Sequence, residues 1–512
     1  MKNINGTGIP KRLILIFSTV IFLLGISVDL AIPGHVAAQG ESPQPRVDPQ
    51  VLETLQASGS ADFVIEMAEQ ADLSAAYAIT DWNERGQYVV DTLKAVADRS
   101  QKGAVSRLKG QGARFTSYFA SNVIVVHGGS LRALEAVQNL PEVARVRAPV
   151  VVQLEPVEEL LRRAVDISMP QAVLAGNPTW GLVDTGAPDF WSTYGRQGQG
   201  IIVANIDSGV QYDHPALAAA YRCAGGNPVD SNCWLNVAPS ANCPIGVPCD
   251  DNGHGTHTMG TMVGSNNPSL PYNVGMAPGA RWIACRAFRG KEDADETVLN
   301  ACADWILAPG GNPANRPHIV NNSWSGLGGD TWYQSKVNAW RASGIFPIFS
   351  AGNGGTPTSC STLGSPGDYP EVFSVAAHDI NREIANFSSQ GPSLAGNVLI
   401  VKPNLSAPGV NIYSSVPGNT YSDLYSGTSM AAPHASGAVA LLWSCNPGLI
   451  GQIDQTFELL QTSAGIPPAG SCGGPASGEG NYTYGYGYLN VLQAGQGVCI
   501  DWFETYLPLI SR

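Results

Sequence analysis

From residue 199 onward, apolar residues gather into short continuous runs: Ile201 to Ile206, Arg281 to Ala287, His318 to Asn321, Phe346 to Ser350 and Val372 to Ala377. Runs that are apolar almost throughout, instead of alternating, mark strands buried on both faces. Helix-spaced segments, Asp295 to Leu307 and Trp332 to Ala342, fall between them. Strands alternating with helices predict an α/β architecture, a mostly parallel sheet between two helical layers. Sites in such sheets lie beyond the carboxyl ends of the strands.

The pattern ahead of this region differs. Over residues 61–155 it predicts a strand at Phe63-Val64-Ile65 and a helix from Glu84 to Gln111, with Val89, Leu93 and Val96 on one face. An alternating stretch follows from Phe115 to His127. Next comes a helix that Ser130 caps and Pro141 ends, then a last strand from Val143 to Leu154. This β-α-β-β-α-β order suggests a small ferredoxin-like α+β domain. Residues 39–60, polar and proline-bearing, read as a linker, and 156–190 as a connector. Within the connector, Arg162-Arg163 is either a dibasic processing point or a solvated helix face.

At the start of the chain, Lys2, Lys11 and Arg12 lead into an apolar run from Leu13 to about Val28, and Val36-Ala37-Ala38 supplies small residues for cleavage. A secretory signal peptide over 1–38 is expected, in preference to a membrane anchor. No later stretch is long enough to span a bilayer, so no stable membrane association is expected. Beyond Gly497 only a short tail, 498–512, remains.

Composition narrows the function. A chain of 512 residues predicts two or three segments. The net charge is −13 and no basic run accompanies the folded regions, which argues against nucleic-acid binding. Of the ten cysteines none precedes Cys223 and no C-x-x-C pair occurs. That distribution favours disulfides in an oxidising, extracellular compartment over metal binding.

Four polar residues sit where the pattern puts strand ends and helix starts. Asp207 closes the first buried strand, where an unpaired carboxylate would be costly. His254 lies between Gly253 and Gly255, ahead of a helix. Asn353 follows another apolar strand in Ala351-Gly352-Asn353-Gly354. Ser429 sits on a small-residue loop, Gly427-Thr428-Ser429, that runs into an apolar helix. Each has an ordinary alternative: a turn aspartate, a structural histidine, a turn asparagine, an N-cap serine. Together they are the parts a weak serine nucleophile needs: a base, a group to orient it, and donors for the oxyanion.

Taken in order, these motifs resemble those of the subtilisin-like (subtilase) serine peptidases. The matching stretches are Ile206-Asp207-Ser208-Gly209-Val210, His254-Gly255-Thr256-His257, Ser350-Ala351-Gly352-Asn353 and Gly427-Thr428-Ser429-Met430-Ala431-Ala432-Pro433-His434. The similarity runs from about Trp180 to Ala494. Asn321-Asn322-Ser323-Trp324 and Gly364-Ser365-Pro366-Gly367-Asp368 are most similar to the bacillopeptidase F-like branch. The order Asp, His, Ser is the one known for subtilisins.

The resemblance implies a subtilisin-like three-layer catalytic domain over 191–497. In it Ser429 attacks, His254 transfers the proton, Asp207 orients His254, and Asn353 with the Ser429 N–H holds the oxyanion. It implies a substrate pocket from Ser323, Trp324, Ser325 and Gly326 on one wall, Ala351 and Gly352 on the other, and Gly364 near the floor. With no fixed charge there, a broad preference for apolar or aromatic P1 residues is expected. It also implies that residues 61–155 are a propeptide, an intramolecular chaperone and inhibitor of a secreted, monomeric, self-processed zymogen acting on proteins or peptides.

The sequence also fits other readings. One is a catalytically inactive relative that serves as a binding or scaffolding protein. An α/β-hydrolase esterase fits poorly, because Ser429 lacks the G-x-S-x-G elbow. His254 and His257, three apart, would suit a metal only with a third ligand, and no required cofactor or metal site is expected. A structural calcium at an unknown site is possible: the family's strongest site needs an aspartate where Ala216 stands, which leaves Asp250-Asp251 or the stretch from Glu292 to Glu296. Among the cysteines, Cys285 with Cys302, Cys445 with Cys472, and pairs within Cys223 to Cys249 are plausible bridges.

Overall fold

The computed structural model describes residues 46–154 and 177–499, apart from 268, 271, 291–292, 394, 396–399 and 476–478. The expected signal peptide, the Arg162-Arg163 pair and nearly all of the tail lie outside them.

The N-terminal domain starts earlier than expected. Pro49 falls in the stretch read as a linker, yet it opens helix α1 (Pro49–Ser58); Asp48 caps it by accepting from Gln50 N, and Gly59 ends it in the left-handed region. Proline is tolerated at a helix's first position because that N–H has no helical partner. Strands β1 (Ala61–Met67), β2 (Arg114–Tyr118), β3 (Val123–Gly129) and β4 (Val143–Arg147) form one antiparallel sheet in the order β2-β3-β1-β4. The single expected helix is two, α2 (Trp82–Ser100) and α3 (Lys102–Gly110). Between them Gln101 turns its amide onto Tyr118 O and the Asn122 side chain. Helix α4 (Leu131–Val137) follows, capped by Ser130 as expected.

One sheet face is covered by α1, α3 and α4: Phe63, Ile65, Ile124 and Val126 pack with Val51, Leu108 and Leu134. The opposite face, Val64, Tyr118, Val123 and Val125, meets Ala301 of the larger domain. Both faces are therefore buried, which explains why Phe63-Val64-Ile65 is apolar at every position. A two-residue strand, β5 (Val151–Val152), then crosses to the larger domain.

In that domain α5 (Trp180–Asp184) and α6 (Ala187–Tyr194) precede β6 (Ile202–Asp207). Leu182, Ala187 and Phe190 are fully buried, so this part of the expected connector belongs to the larger domain. There follow β7 (Trp234–Asn236), α7 (His254–Val263), β8 (Arg281–Arg286), β9 (Ala294–Asp295) and α8 (Glu296–Leu307). After these come β10 (Ile319–Asn322), α9 (Gln334–Ala342), β11 (Phe346–Ser350), β12 (Phe373–His378) and β13 (Leu405–Pro408). Seven strands form one parallel sheet in the order β13-β12-β11-β10-β6-β8-β7. The direction of travel reverses between β6 and β10, and such a switch point opens a crevice at the carboxyl edge. A hairpin, β14 (Ile412–Val416) and β15 (Thr420–Tyr425), leads into α10 (Thr428–Cys445); α11 (Ile453–Thr462) and α12 (Val491–Gln496) close the fold. Helix α10 is apolar nearly all round and buried along almost its whole length, as a helix through the middle of a domain must be.

All ten cysteines are paired: Cys223–Cys233, Cys243–Cys249, Cys285–Cys302, Cys360–Cys472 and Cys445–Cys499. The pairing of Cys445 with Cys472 is thus corrected. Cys445 ends α10 and meets Cys499 just past α12. Cys472 sits in a loop hydrogen-bonded to Gln390 and Thr483, far along the chain from its partner Cys360. Among the described residues no helix is long and apolar enough to cross a membrane.

Candidate active site

Strand β6 delivers Asp207 to the carboxyl edge of the sheet, where its side chain is fully buried. Oδ1 accepts from Ser208 N at 2.7 Å and lies 2.8 Å from His254 Nδ1; Oδ2 accepts from the Thr258 hydroxyl at 3.2 Å. An ionised carboxylate only accepts, so Nδ1 carries the ring proton and Nε2 keeps its lone pair. His254 opens α7. A Cβ on Gly255 would stand 2.0 Å from Gly209 O, so only glycine lets the helix approach β6 this closely.

Asp250 is the functional neighbour that sequence reasoning missed, having entered only as a calcium candidate. It accepts from the Ser208 hydroxyl (3.0 Å), from Asn252 N (3.0 Å), Gly253 N (2.8 Å) and Thr256 N (2.9 Å), and from the Thr256 hydroxyl (2.6 Å). It thereby pins the turn that presents His254. The available signal was the run Asp250-Asp251-Asn252-Gly253 at a helix start, where orphan N–H groups need an acceptor. Of the other calcium candidates, Asp251 pairs with Arg286 at 2.9 Å, Glu296 with Arg147 at 2.6 Å, and Asp295 caps a helix by accepting from Val298 N. Glu292 lies outside the described residues.

Burial pushes the His254 pKa down, but the charge and hydrogen bond of Asp207, with the charge of Asp250, outweigh it and hold the pKa above its ordinary value. His257 behaves oppositely: burial takes it down to about 3. Its Nε2 faces Ile412 O at 2.9 Å and its ring stacks on Tyr425, the environment of a neutral structural histidine.

Ser429 is the second residue of α10. Its hydroxyl donates to Ser323 O at 3.0 Å, not to His254, and its own carbonyl accepts from the Ser323 hydroxyl at 2.8 Å. The second bond has a sequence cause. Pro433, four residues on, has no N–H to give the Ser429 carbonyl, and Ser323 fills that place. This reciprocal pair joins the end of β10 to the start of α10. Asn353 Oδ1 accepts from Thr428 N and from the Thr428 hydroxyl, each at 2.8 Å, so the asparagine is tied to the residue before Ser429.

The three expected pocket strips come together. Gly326 N donates to Ser365 O at 2.7 Å and Gly364 N to Ala351 O at 3.0 Å. Trp324 reaches the wall through its backbone alone; its indole packs in the core against Phe349 and Tyr333. Strand β5 lies along this region. Val151 and Val152 pair antiparallel with Asp295 and Ala294, and Gln153 bridges Ser325.

A doubly covered parallel sheet with a buried Asp–His pair and a serine on a helix start at its switch point is the arrangement of a serine hydrolase. The subtilase family model matches residues 198–488. Bacillopeptidase F of Bacillus subtilis (strain 168) is 40% identical over 458 residues, which is 86% of this chain but 30% of that protein. Subtilisin DY of Bacillus licheniformis is 31% identical over 59% of this chain and 93% of its own length. Subtilisin E of Bacillus subtilis (strain 168) is 31% identical over 62% of this chain and 71% of its own. The chain belongs to the subtilase family of serine peptidases, and spans under a third of the length of Bacillopeptidase F.

Proposed function

We propose that this chain is a serine endopeptidase, secreted as a zymogen, that hydrolyses peptide bonds through an acyl-enzyme on Ser429. The observation that carries it is the buried Asp207–His254 pair at the end of β6, beside β10, whose end is bonded through Ser323 to Ser429, with Asn353 bonded to the preceding Thr428. Ser429 attacks the scissile carbonyl once its hydroxyl turns from Ser323 O to His254 Nε2; apo sites often tighten this bond only with substrate bound. His254 then passes the proton to the leaving amine. Asp207 holds the tautomer and steadies the imidazolium, and the Asn353 amide with the Ser429 N–H takes the oxyanion. Residues 46–154 act as chaperone and inhibitor, with β5 laid in the substrate groove. The cut that frees the enzyme falls after Leu154 and before Asn177, because both flanks are packed into structure. The apolar leader and the five disulfides support secretion, and the enzyme acts as a monomer on protein or peptide substrates.

A fluorophosphonate probe tests this: the mature protein labels at Ser429. Folded protein that neither labels nor processes itself would favour the inactive, binding-only alternative.

Two further outcomes follow from the geometry. Because His254 must be neutral to act as base and its pKa is raised, kcat/KM falls on acidification through a midpoint above the ordinary histidine value of about 6.5. Asp207→Asn removes the charge that raises it, so the acidic limb moves to lower pH. The same change cuts kcat about ten-thousandfold, the loss known for serine peptidases with this triad. A pH–rate profile of both proteins checks the two effects. Met430, 1% exposed beside Ser429, becomes polar on oxidation to the sulfoxide. Mild peroxide therefore lowers wild-type activity and spares Met430→Ala; equal loss in both would refute this role.

A further inference from the structure

The amino edge of the large sheet, opposite the edge that carries Asp207, has a joint of its own. Ile202 N donates to His318 Nδ1 at 3.0 Å, His318 N to Ile202 O at 2.8 Å, and Phe346 N to His318 O at 2.9 Å. These residues stand at the entries of β6, β10 and β11, whose far ends lead to Asp207, Ser323 and Asn353. A strand rises about 3.3 Å per residue, so the five residues from His318 to Ser323 set the joint roughly 16 Å from the catalytic edge.

The first turn of α2 is seated on this joint, with Asp81 capping it by accepting from Glu84 N at 2.9 Å. Buried Arg85 donates from Nε to Ala342 O at 2.6 Å, from Nη2 to Arg341 O at 2.9 Å and from Nη1 to Gly451 O at 3.3 Å. Arg341 and Ala342 are the last residues of α9, where carbonyls lack helical partners and the helix dipole favours a cation. The Trp82 ring stacks on His318 with 4.7 Å between centroids, and the Arg316 guanidinium carbon stands 3.7 Å from the ring centroid. Arg316 also donates to Trp82 O. It is held in place by Ser343 O at 3.0 Å and Pro313 O at 2.9 Å. Two glycines permit the approach. A Cβ on Gly344 would stand 3.0 Å from Trp82 Cζ3, and one on Gly86 would stand 2.1 Å from Arg316 Nη1.

Once the N-terminal domain leaves, the catalytic domain keeps every group that receives this turn: three carbonyls for one guanidinium, a flat platform for one indole, and a donor for one carbonyl. The two side chains received lie three residues apart, on one helix face, and are of the types that most often dominate binding. We propose that in the mature enzyme this seat is a docking site, separate from the substrate groove, for a surface helix that begins with tryptophan and carries arginine three residues on, and that it recruits proteins bearing such a helix for cleavage. This rests on the maturation and peptidase function proposed above. A contact so far from Ser429 holds ground state and transition state equally, so it lowers KM and leaves kcat unchanged.

The test uses mature enzyme inactivated by a fluorophosphonate, so that the probe is not digested. The probe is a peptide of residues 79–92 with Gln87→Lys bridged by a lactam to Asp91 on its exposed side, its helicity verified by circular dichroism. It should bind with a Kd below about 100 μM, and equally helical Trp82→Ala and Arg85→Ala peptides should each bind about tenfold more weakly. With active enzyme, fusing residues 79–92 to a protein substrate should lower KM about tenfold at constant kcat. Arg85→Ala in the fused segment should abolish that gain, and the probe should leave hydrolysis of short peptides unchanged. A helical probe that does not bind labelled enzyme, or binds equally well in all three forms, overturns the docking site and leaves the peptidase function standing. Inhibition of short-peptide hydrolysis would place the probe in the groove and overturn the separate site. Binding without a change in KM would make the joint a seat for the N-terminal domain alone and overturn recruitment. Protein that fails to label overturns the peptidase function and this inference with it.

Discussion

Ser429→Ala is expected to end turnover and to leave the N-terminal domain joined to the catalytic body. The loss in kcat is about a millionfold, the scale established for subtilisins lacking the same residue. What remains is the help that the oxyanion donors and binding give to water. N-terminal sequencing of secreted protein reads the second half. Wild type begins between residues 155 and 177, whereas the variant begins before residue 46. The substitution removes only a hydroxyl that donates to Ser323 O, so the fold and all five disulfides should form as before. A variant that matures normally without added protease would refute self-processing. The result separates the chemistry of Ser429 from its position as the second residue of a buried helix.

The second large effect concerns the hold of the N-terminal domain. Arg147 of β4 makes a two-pronged ion pair with Glu296, the first residue of α8, at 2.6 and 2.7 Å. The Glu296 side chain is fully buried and that of Arg147 is 7% exposed. Glu66 of β1 braces the same guanidinium, and Lys336 stands 3.9 Å from Glu296. Breaking a buried pair by removing one partner costs about 3–5 kcal/mol, chiefly because a charge is left without compensation. Arg147→Ala should therefore weaken inhibition by the cleaved N-terminal domain several-hundredfold, read as the inhibition constant of the nicked complex. Adding Glu296→Gln should recover part of that loss, since no buried anion then lacks its partner. An unchanged inhibition constant in Arg147→Ala would show that other contacts carry the hold. Candidates are the Arg85 guanidinium on the carbonyls of Arg341 and Ala342 and the Trp82 ring over Arg316.

Much of this was legible in the chain. Five buried strands appear as nearly continuous apolar runs because a strand covered on both faces needs apolar residues on both. Asp207 could be placed at a strand end and Ser429 at a helix start from local pattern alone. Ser130 and its helix, and the β-α-β-β-α-β order, followed from capping and alternation. The misses share a cause. Pro49 looked like a linker because a proline that starts a helix and one that prevents it read alike without the core that Val51 and Leu55 enter. Strands β7, β13 and the β14–β15 hairpin are too short or too mixed to stand out. Cys360 and Cys472 are 112 residues apart, and no local rule links them.

The sequence by itself determined which groups are present: a carboxylate, an imidazole, an amide and a hydroxyl, each beside an element end, with glycines where backbones must nearly touch. Only the tertiary structure decided what those groups face. It set the carboxylate of Asp207 2.8 Å from His254, enlisted Asp250 to hold the histidine's turn, and turned Ser429 toward Ser323. The physical reason is range: capping, propensity and periodicity act within a few residues, whereas a pKa, an ion pair or the shape of a pocket depends on atoms that only the folded sheet brings together.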